Sequence, residues 1–140
     1  MSVYVVDASV AAKWFFDEPL AEDARRVLRR GNRLYAPDFF LLEMDNILCK
    51  RIRRGELTLR DAEDARVMLR ELPIERPPFG SVQNRAFEIA NQTQRSLYDC
   101  LYLALSVLLD GRMVTADRKL YDAMASGPFS QHVAWVEDVQ

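Results

Sequence analysis

The segment Val3-Tyr4-Val5-Val6-Asp7-Ala8-Ser9 joins an apolar run to an acid and then to a stretch compatible with a helix. Four apolar residues in succession are typical of a strand that is buried on both faces, as in a parallel sheet. A polar side chain directly after such a strand lies at its carboxyl end, where open α/β sheets bind their ligands. Asp7 is therefore the first candidate for a functional side chain.

The rest of the chain alternates short strand candidates with helix candidates. This alternation predicts an α/β domain with a mainly parallel sheet and right-handed crossovers. The prolines around 73–76 place that strand at a sheet edge, where a missing N–H is tolerated. Asp38 and Thr58 are predicted helix N-caps. Further strands are predicted at 33–36, 73–76, 111–115 and 132–136, and helices at 8–16, 20–30, 38–53, 58–72, 81–93, 97–109 and 117–125.

Length and composition narrow the class of protein. The 140 residues fit one domain, and 49% hydrophobic residues are ordinary for a packed core. No apolar run reaches the roughly 18–20 residues of a membrane span, and no secretory signal is apparent, so a cytoplasmic protein without a membrane partner is expected. Cys49 and Cys100 are predicted to be reduced core thiols. His132 is the only histidine, which excludes a histidine-based zinc site or a Ser-His-Asp triad.

The charge is nearly balanced overall but unevenly distributed. A net charge of -2 does not predict tight, non-specific nucleic-acid binding. Arginines and one lysine nevertheless concentrate in 25–33 and 50–54. They are either solvated helix ends, since cations are favoured near a helix C-terminus, or a basic rim that holds phosphates beside an acidic site. Both interpretations stay open at this point.

Four acids fall where predicted elements begin or end. Asp7 and Asp117 follow strands, Asp99 opens the helix 97–109, and Glu43 lies in the first turns of the helix 38–53. Each has an ordinary structural explanation. Asp7 and Asp117 could cap helices, Asp99 stands three residues after Ser96 at a capping-box spacing, and Glu43 could be exposed. Together they could also share one cleft, because parallel strands end at the same edge.

Such a cluster favours a bound cation. Two carboxylates about 4 Å apart repel by roughly 4 kcal/mol at an effective dielectric of 20, so either some acids hold protons or a divalent ion neutralises them. Oxygen ligands suit Mg²⁺ or Mn²⁺. Such an ion can activate water and stabilise the charge on a phosphodiester, so the set is best suited to metal-assisted phosphodiester hydrolysis.

Four segments, in order and at these intervals, resemble the PIN-domain nucleases and in particular the VapC-like toxins of type II toxin–antitoxin modules. No single segment is specific, but the resemblance covers nearly the whole chain. The segments are Val5-Val6-Asp7-Ala8-Ser9, Pro37-Asp38 through Glu43-Met44-Asp45-Asn46, Leu97-Tyr98-Asp99-Cys100-Leu101-Tyr102-Leu103-Ala104 and Val114-Thr115-Ala116-Asp117-Arg118-Lys119-Leu120. Cys100 departs from the family, in which a small residue is usual.

The resemblance implies an α/β/α sandwich with strand order 3-2-1-4-5 and a Mg²⁺- or Mn²⁺-dependent endoribonuclease that acts on RNA. It also implies a homodimer and inhibition by a small antitoxin. By the same resemblance Asp7 and Asp99 are direct metal ligands, while Glu43 and Asp117 hold a metal-bound water, position the attacking water or bind a second ion. The supporting residues are Ser9, Asn46 and Thr115, and weak candidates for RNA contact are Arg53 and Arg54.

Several alternatives remain beside this interpretation. Two other α/β classes are disfavoured by the sequence. A phosphotransferase of the haloacid-dehalogenase type needs a second Asp at the position of Ser9, and a receiver domain needs an Asp after the third strand, where this sequence has none. No GxGxxG or Walker loop supports nucleotide binding. A catalytically inactive PIN-type binding module and a PIN-domain RNA-processing nuclease without an antitoxin both stay open, as does the direction in which Asp45 points. The helix 97–109 is apolar nearly all round, which predicts a central position or a dimer interface.

Overall fold

A computed structural model describes residues 2–140, and its centre is a five-stranded sheet in which every pairing is parallel. The strand order is β3-β2-β1-β4-β5, so the predicted sheet and its order are confirmed. β3 lies at an edge, as its flanking prolines predict. The strands are β1 (Val3–Val6), β2 (Arg33–Tyr35), β3 (Ile74–Glu75), β4 (Arg112–Thr115) and β5 (Val133–Trp135).

Seven α-helices connect and cover the strands within residues 2–140. With right-handed crossovers, the helices between β1 and β3 lie on one face of the sheet and those between β3 and β5 on the other. The direction of the chain across the sheet therefore reverses between β1 and β4. The helices are α1 (Ala8–Ala12), α2 (Ala21–Arg26), α3 (Phe40–Arg53), α4 (Leu59–Glu71), α5 (Gln83–Thr93), α6 (Leu97–Leu108) and α7 (Arg118–Ala125).

Helix α6 is the central helix of the fold. It packs on β1 and β4, and its residues from Cys100 to Ser106 are all buried within this one chain. The predicted central position is confirmed. The apolar character of α6 therefore needs no second copy of the chain to cover it, and it is not an argument for a dimer.

A close backbone approach joins the end of α6 to the sheet. A Cβ atom on Gly111 would lie 2.6 Å from the carbonyl oxygen of Val3, which no side chain tolerates. Glycine therefore lets the chain pass directly from α6 into β4 beside β1. The position of β4, which carries part of the site described below, depends on this contact.

Four local predictions differ from the structure. The predicted helix 8–16 ends as α1 at Ala12, and a 3-10 helix follows it over Lys13–Phe15. Asp38 does not cap α3; its carboxylate instead accepts the N–H of Phe79 at 3.0 Å, and Phe39 occupies the cap position without a side-chain bond. The predicted helix 20–30 ends as α2 at Arg26, and turns follow it. Cys49 is exposed rather than in the core, although Cys100 is buried as predicted. The predicted cap Thr58 is confirmed, because its hydroxyl accepts the N–H of Asp61 at 3.1 Å.

No helix in the described part of the chain has both the length and the apolar composition needed to cross a membrane.

Candidate active site

Two of the predicted acids lie at the switch point between β1 and β4, where the direction of the chain across the sheet reverses. Asp7 follows β1 directly and caps α1, and Asp117 lies two residues beyond β4 and caps α7. Because β1 and β4 are adjacent and parallel, their carboxyl ends are neighbours. In doubly wound sheets this switch point is the crevice in which ligands bind.

Helices bring the other two acids to the same place. Asp99 lies in the first turn of α6, which packs on β1 and β4, and Glu43 lies in the first turn of α3, which contacts α1. The four acids line one cleft of about 210 Å³ together with Tyr102. The structure thus gathers side chains that span more than a hundred positions of sequence.

Two donors from α1, the helix that follows β1, hold the Asp7 carboxylate. The Ser9 hydroxyl donates to its Oδ1, which also accepts the N–H of Val10 at 3.1 Å. The Ser9 oxygen in turn accepts the N–H of Ala116 at 3.2 Å, so this one hydroxyl connects the end of β1 to the segment after β4. Ser9 therefore contacts Asp7 directly, and its supporting role stays a prediction.

Burial dominates the ionisation of Asp7. The residue is only 6% exposed, and desolvation raises the pKa of its carboxyl from 3.8 to about 6. Hydrogen bonds from the hydroxyls of Ser9 and Thr115 and from the Val10 N–H lower this pKa, and the charge of Asp99 raises it. The carboxylate form of Asp7 is thus costly in the protein alone, and a nearby cation would stabilise it.

Glu43 has a dedicated partner that the sequence analysis missed. The phenol of Tyr102 donates to Glu43 Oε1. Burial raises the pKa of Glu43 and this hydrogen bond opposes the rise, while burial and the charge of Glu43 raise the pKa of Tyr102 well above its usual value. Tyr102 therefore stays a protonated donor. Tyr102 is three residues beyond Asp99 on α6, so the two side chains share one helix face. This spacing is the sequence signal that could have identified Tyr102 as a residue of the site.

Asp99 is both a helix residue and a site residue. Its backbone N–H donates to the Ser96 hydroxyl at 3.1 Å, which is the predicted cap, and its carboxylate lies 3.7 Å from the guanidinium of Arg95. Burial raises the pKa of Asp99, Ser96 and Arg95 lower it, and the charge of Asp117 raises it. Asp99 in turn raises the pKa of Asp7 and of Glu43. Asp99 is therefore the acid that connects the charges of the cleft: it acts on Asp7 and Glu43, and Asp117 acts on it.

Asp117 is exposed and held by its own helix. Its carboxylate accepts the N–H of Leu120 at 3.2 Å, and its N–H donates to the hydroxyl of buried Thr115 at 3.1 Å. Thr115 thus touches Asp117 while its hydroxyl also lowers the pKa of Asp7. The cap interpretation of Asp117 is correct, and it is compatible with a place on the cleft.

The donor set fits a hard divalent ion held in an open site. Every charged group on the cleft is a carboxylate, and Mg²⁺ binds through one or two carboxylates while it keeps several waters. Within residues 2–140 no three acidic, thiol or imidazole groups converge closely enough to enclose a metal ion by themselves. An ion held by one or two of these carboxylates would keep waters in its coordination shell, as a hydrolytic site requires.

Other predicted residues lie outside the cleft. Asp45 forms a two-pronged ion pair with Arg66 of α4, at 2.7 and 3.0 Å, which settles its direction. Asn46 lines a neighbouring groove of about 550 Å³. Arg53 and Arg54 are exposed at the far end of α3, about 15 Å along the helix axis from Glu43.

Three arginines of the two basic stretches make hydrogen bonds or ion pairs within the protein. Arg25 donates to the backbone carbonyls of Trp14 and Phe16, and Arg51 forms a forked ion pair with Glu18. Arg26 pairs with Asp23. Arg25 and Arg51 thus fix the segment before α2, Arg26 is paired within α2, and these three arginines are unavailable as a phosphate-binding rim.

An all-parallel sheet of this order, with an acidic cleft at its switch point, defines a doubly wound α/β class, and comparison with known proteins identifies the family within it. The family model described as the PIN domain matches residues 4–125. The chain belongs to the PIN domain family. Ribonuclease VapC3 of Pyrobaculum aerophilum is 33% identical over 121 residues, which cover 83% of this chain and 90% of that protein. Ribonuclease VapC9 of Mycobacterium tuberculosis is 32% identical over 118 residues, covering 84% and 88%.

Solved structures share the fold. The crystal structure of PAE2754 from Pyrobaculum aerophilum superposes with a TM-score of 0.68 at 21% identity, covering 98% of this chain and 93% of that one. VapBC2 from Rickettsia felis, bound to a DNA fragment from its promoter, gives 0.64 at 11% identity, covering 95% and 98%. At these identities the likeness concerns the fold alone.

The raised pKa of Asp7 predicts an unusual pH dependence of stability in EDTA. The folded protein holds this proton more tightly than the unfolded chain, so the contribution of Asp7 is complete below pH 4 and is lost as the pH rises through 6. Relative to Asp7→Asn, wild type should lose up to about 3 kcal/mol of unfolding free energy between pH 4 and 7. Urea titrations across this range measure it, with Asp61→Asn as an exposed control. Parallel pH curves for wild type and Asp7→Asn would contradict the assignment.

Proposed function

We propose that this chain is a divalent-metal-dependent endoribonuclease, with residues 1–140 forming one nuclease domain that hydrolyses RNA phosphodiester bonds. The observation that carries the proposal is the gathering of Asp7, Glu43, Asp99 and Asp117 on one cleft at the sheet's switch point. Membership of the PIN domain family and two relatives named as ribonucleases, at 33% and 32% identity, support it.

The proposed mechanism assigns each acid a task. Asp7 and Asp99 would hold Mg²⁺ or Mn²⁺, which supplies Lewis-acid stabilisation of phosphate charge and lowers the pKa of a bound water. Glu43, fixed by the Tyr102 phenol, orients the attacking water and receives its proton. Asp117, exposed at the mouth, holds a water or a second ion. The supporting residues are Ser9 and Thr115, which touch Asp7 and Asp117, and Asn46, one turn beyond Glu43 on α3.

RNA cleavage should require both the metal and the cleft acids. Asp7→Asn and Glu43→Gln should each abolish most Mg²⁺- or Mn²⁺-dependent cleavage of single-stranded RNA, because one removes a ligand and the other the base. Asp45→Asn is the matched control, since Asp45 lies on the same helix but pairs with Arg66. Cleavage assays with folded protein, checked by circular dichroism, measure this. Undiminished cleavage in EDTA, or by Asp7→Asn, would disprove the proposal, and a wild type inert with every metal would favour the inactive binding module.

An apolar surface beside the cleft supports a protein partner. The groove of about 550 Å³ next to Glu43 is lined by Phe39, Leu42 and Tyr98, and the last two are 71% and 62% exposed. Exposed apolar side chains grouped in this way mark interaction sites. We therefore propose a toxin of the cytoplasm, inhibited by a small amphipathic antitoxin that covers this groove. The alternative is an RNA-processing nuclease that has no antitoxin.

The oligomeric state and the partner can be measured together. By the family resemblance we expect a homodimer at micromolar concentration, and a larger complex when the chain is co-expressed with the small protein encoded beside it. Multi-angle light scattering gives both masses. Leu42→Asp should weaken the complex while the dimer persists, because it places a charge in the apolar groove. A monomeric mass would refute the dimer, and a wild type that ignores a neighbouring antitoxin would favour the RNA-processing alternative.

Arg53 and Arg54 are proposed to contact RNA phosphates beyond the cleft. Both are exposed, and neither makes an ion pair within residues 2–140. Replacing both by Ala should reduce the logarithmic salt dependence of binding to single-stranded RNA by about 0.7 for each lost contact. Fluorescence anisotropy with Asp7→Asn protein, at several salt concentrations, measures the slope without cleavage. An unchanged slope would assign these residues to an ordinary solvated helix end.

A further inference from the structure

Arg95 is a cation at the edge of the acidic cleft that the proposed mechanism does not use. Its guanidinium lies 3.7 Å from the Asp99 carboxylate, and the two side chains are only 27% and 34% exposed. Its Nε atom is buried without a hydrogen-bond partner in the described structure. A buried donor without an acceptor is unfavourable, so a compensating attraction must hold the side chain there.

The local sequence gives Arg95 no other reason for this position. It directly precedes Ser96, the N-cap of α6, and a positive charge is unfavourable at the N-terminus of a helix. The turn before it is tightly defined, because Gln94 takes a left-handed conformation and the Arg95 N–H reaches the Thr93 hydroxyl at 3.4 Å. Arg95 is thus unfavourable for the helix that it precedes, although its backbone conformation is well defined. Such a conflict with local preference is typical of a residue that serves a functional site.

We propose that Arg95 is the resident counter-ion of the cleft: it neutralises Asp99 in the metal-free protein and competes with the divalent ion for that carboxylate. The charge of Asp99 acts on Asp7 and Glu43, and Asp99 itself feels the charge of Asp117, so one guanidinium beside Asp99 relieves repulsion in the centre of the set. This inference rests on the proposed metal-dependent function and concerns a positioning residue that tunes the occupancy of the site.

The first test measures metal affinity. Calorimetric titration with Mn²⁺ and Mg²⁺ should show Arg95→Gln binding the ion more tightly, by up to about fivefold if the pair has the strength of a part-exposed ion pair. Arg118→Gln is the matched control: Arg118 follows Asp117, yet it pairs with Asp122 at 3.3 Å and stacks over Trp135. Arg95→Lys, which keeps the charge, should bind like wild type.

The second test needs no metal. In EDTA, Arg95→Gln should lower the melting temperature of wild type, but not that of Asp99→Asn, because the pair is already broken in that background. An equal loss in both backgrounds would overturn the inference. Unchanged metal affinity in Arg95→Gln would also overturn the inference, as would equal gains in affinity in Arg95→Gln and Arg118→Gln. If Arg95→Gln weakened only the binding of RNA, Arg95 would be a substrate contact instead. A wild type that binds neither ion would refute the proposed function while the melting comparison still decided the inference.

Discussion

The mutual repulsion of four carboxylates, one of them almost closed to water, is the constraint on which the rest of this site depends. Strand β1 delivers Asp7 into the core at 6% exposure, where its charge is poorly solvated, and Asp99 stands close enough to raise its pKa. Each acid is compensated by a different chemical group. Hydroxyl and backbone donors together serve Asp7, a phenol serves Glu43, a guanidinium serves Asp99, and the Leu120 N–H alone serves exposed Asp117. The surrounding structure can be understood as the set of supports that this charge density requires.

The sheet was predictable because its signals are local. Continuous apolar runs indicate buried parallel strands, and the prolines around 73–76 mark an edge strand. Asp7 and Asp117 could be assigned to the ligand-binding edge from their positions at strand ends alone. The strand order came from the family resemblance, and right-handed crossovers then separate the two helical layers. The structure agrees at each of these points.

What the sequence could not predict depends on contacts between distant segments. Asp38 has the composition of a cap, but the loop after β3 supplies the Phe79 N–H that it binds. The partner of Glu43 is Tyr102, fifty-nine positions away. The spacing of Tyr102 from Asp99 places it on the cleft side of α6, but no local pattern joins it to Glu43. The apolar character of α6 was compatible either with burial inside one chain or with a dimer interface. Only the packed fold shows that residues of the same chain cover α6. Side-chain pairing across the cleft is thus decided by tertiary structure.

The two cysteines divide between the interior and the surface in a way that is useful in the laboratory. Cys100 is a buried residue of α6, whereas Cys49 is exposed on α3 and lines the apolar groove beside Glu43. A thiol-directed fluorophore therefore has one accessible attachment point, and that point lies on the surface where a partner would dock. The wild-type chain carries a single-site spectroscopic reporter of groove occupancy, so complex formation can be followed without engineering the protein.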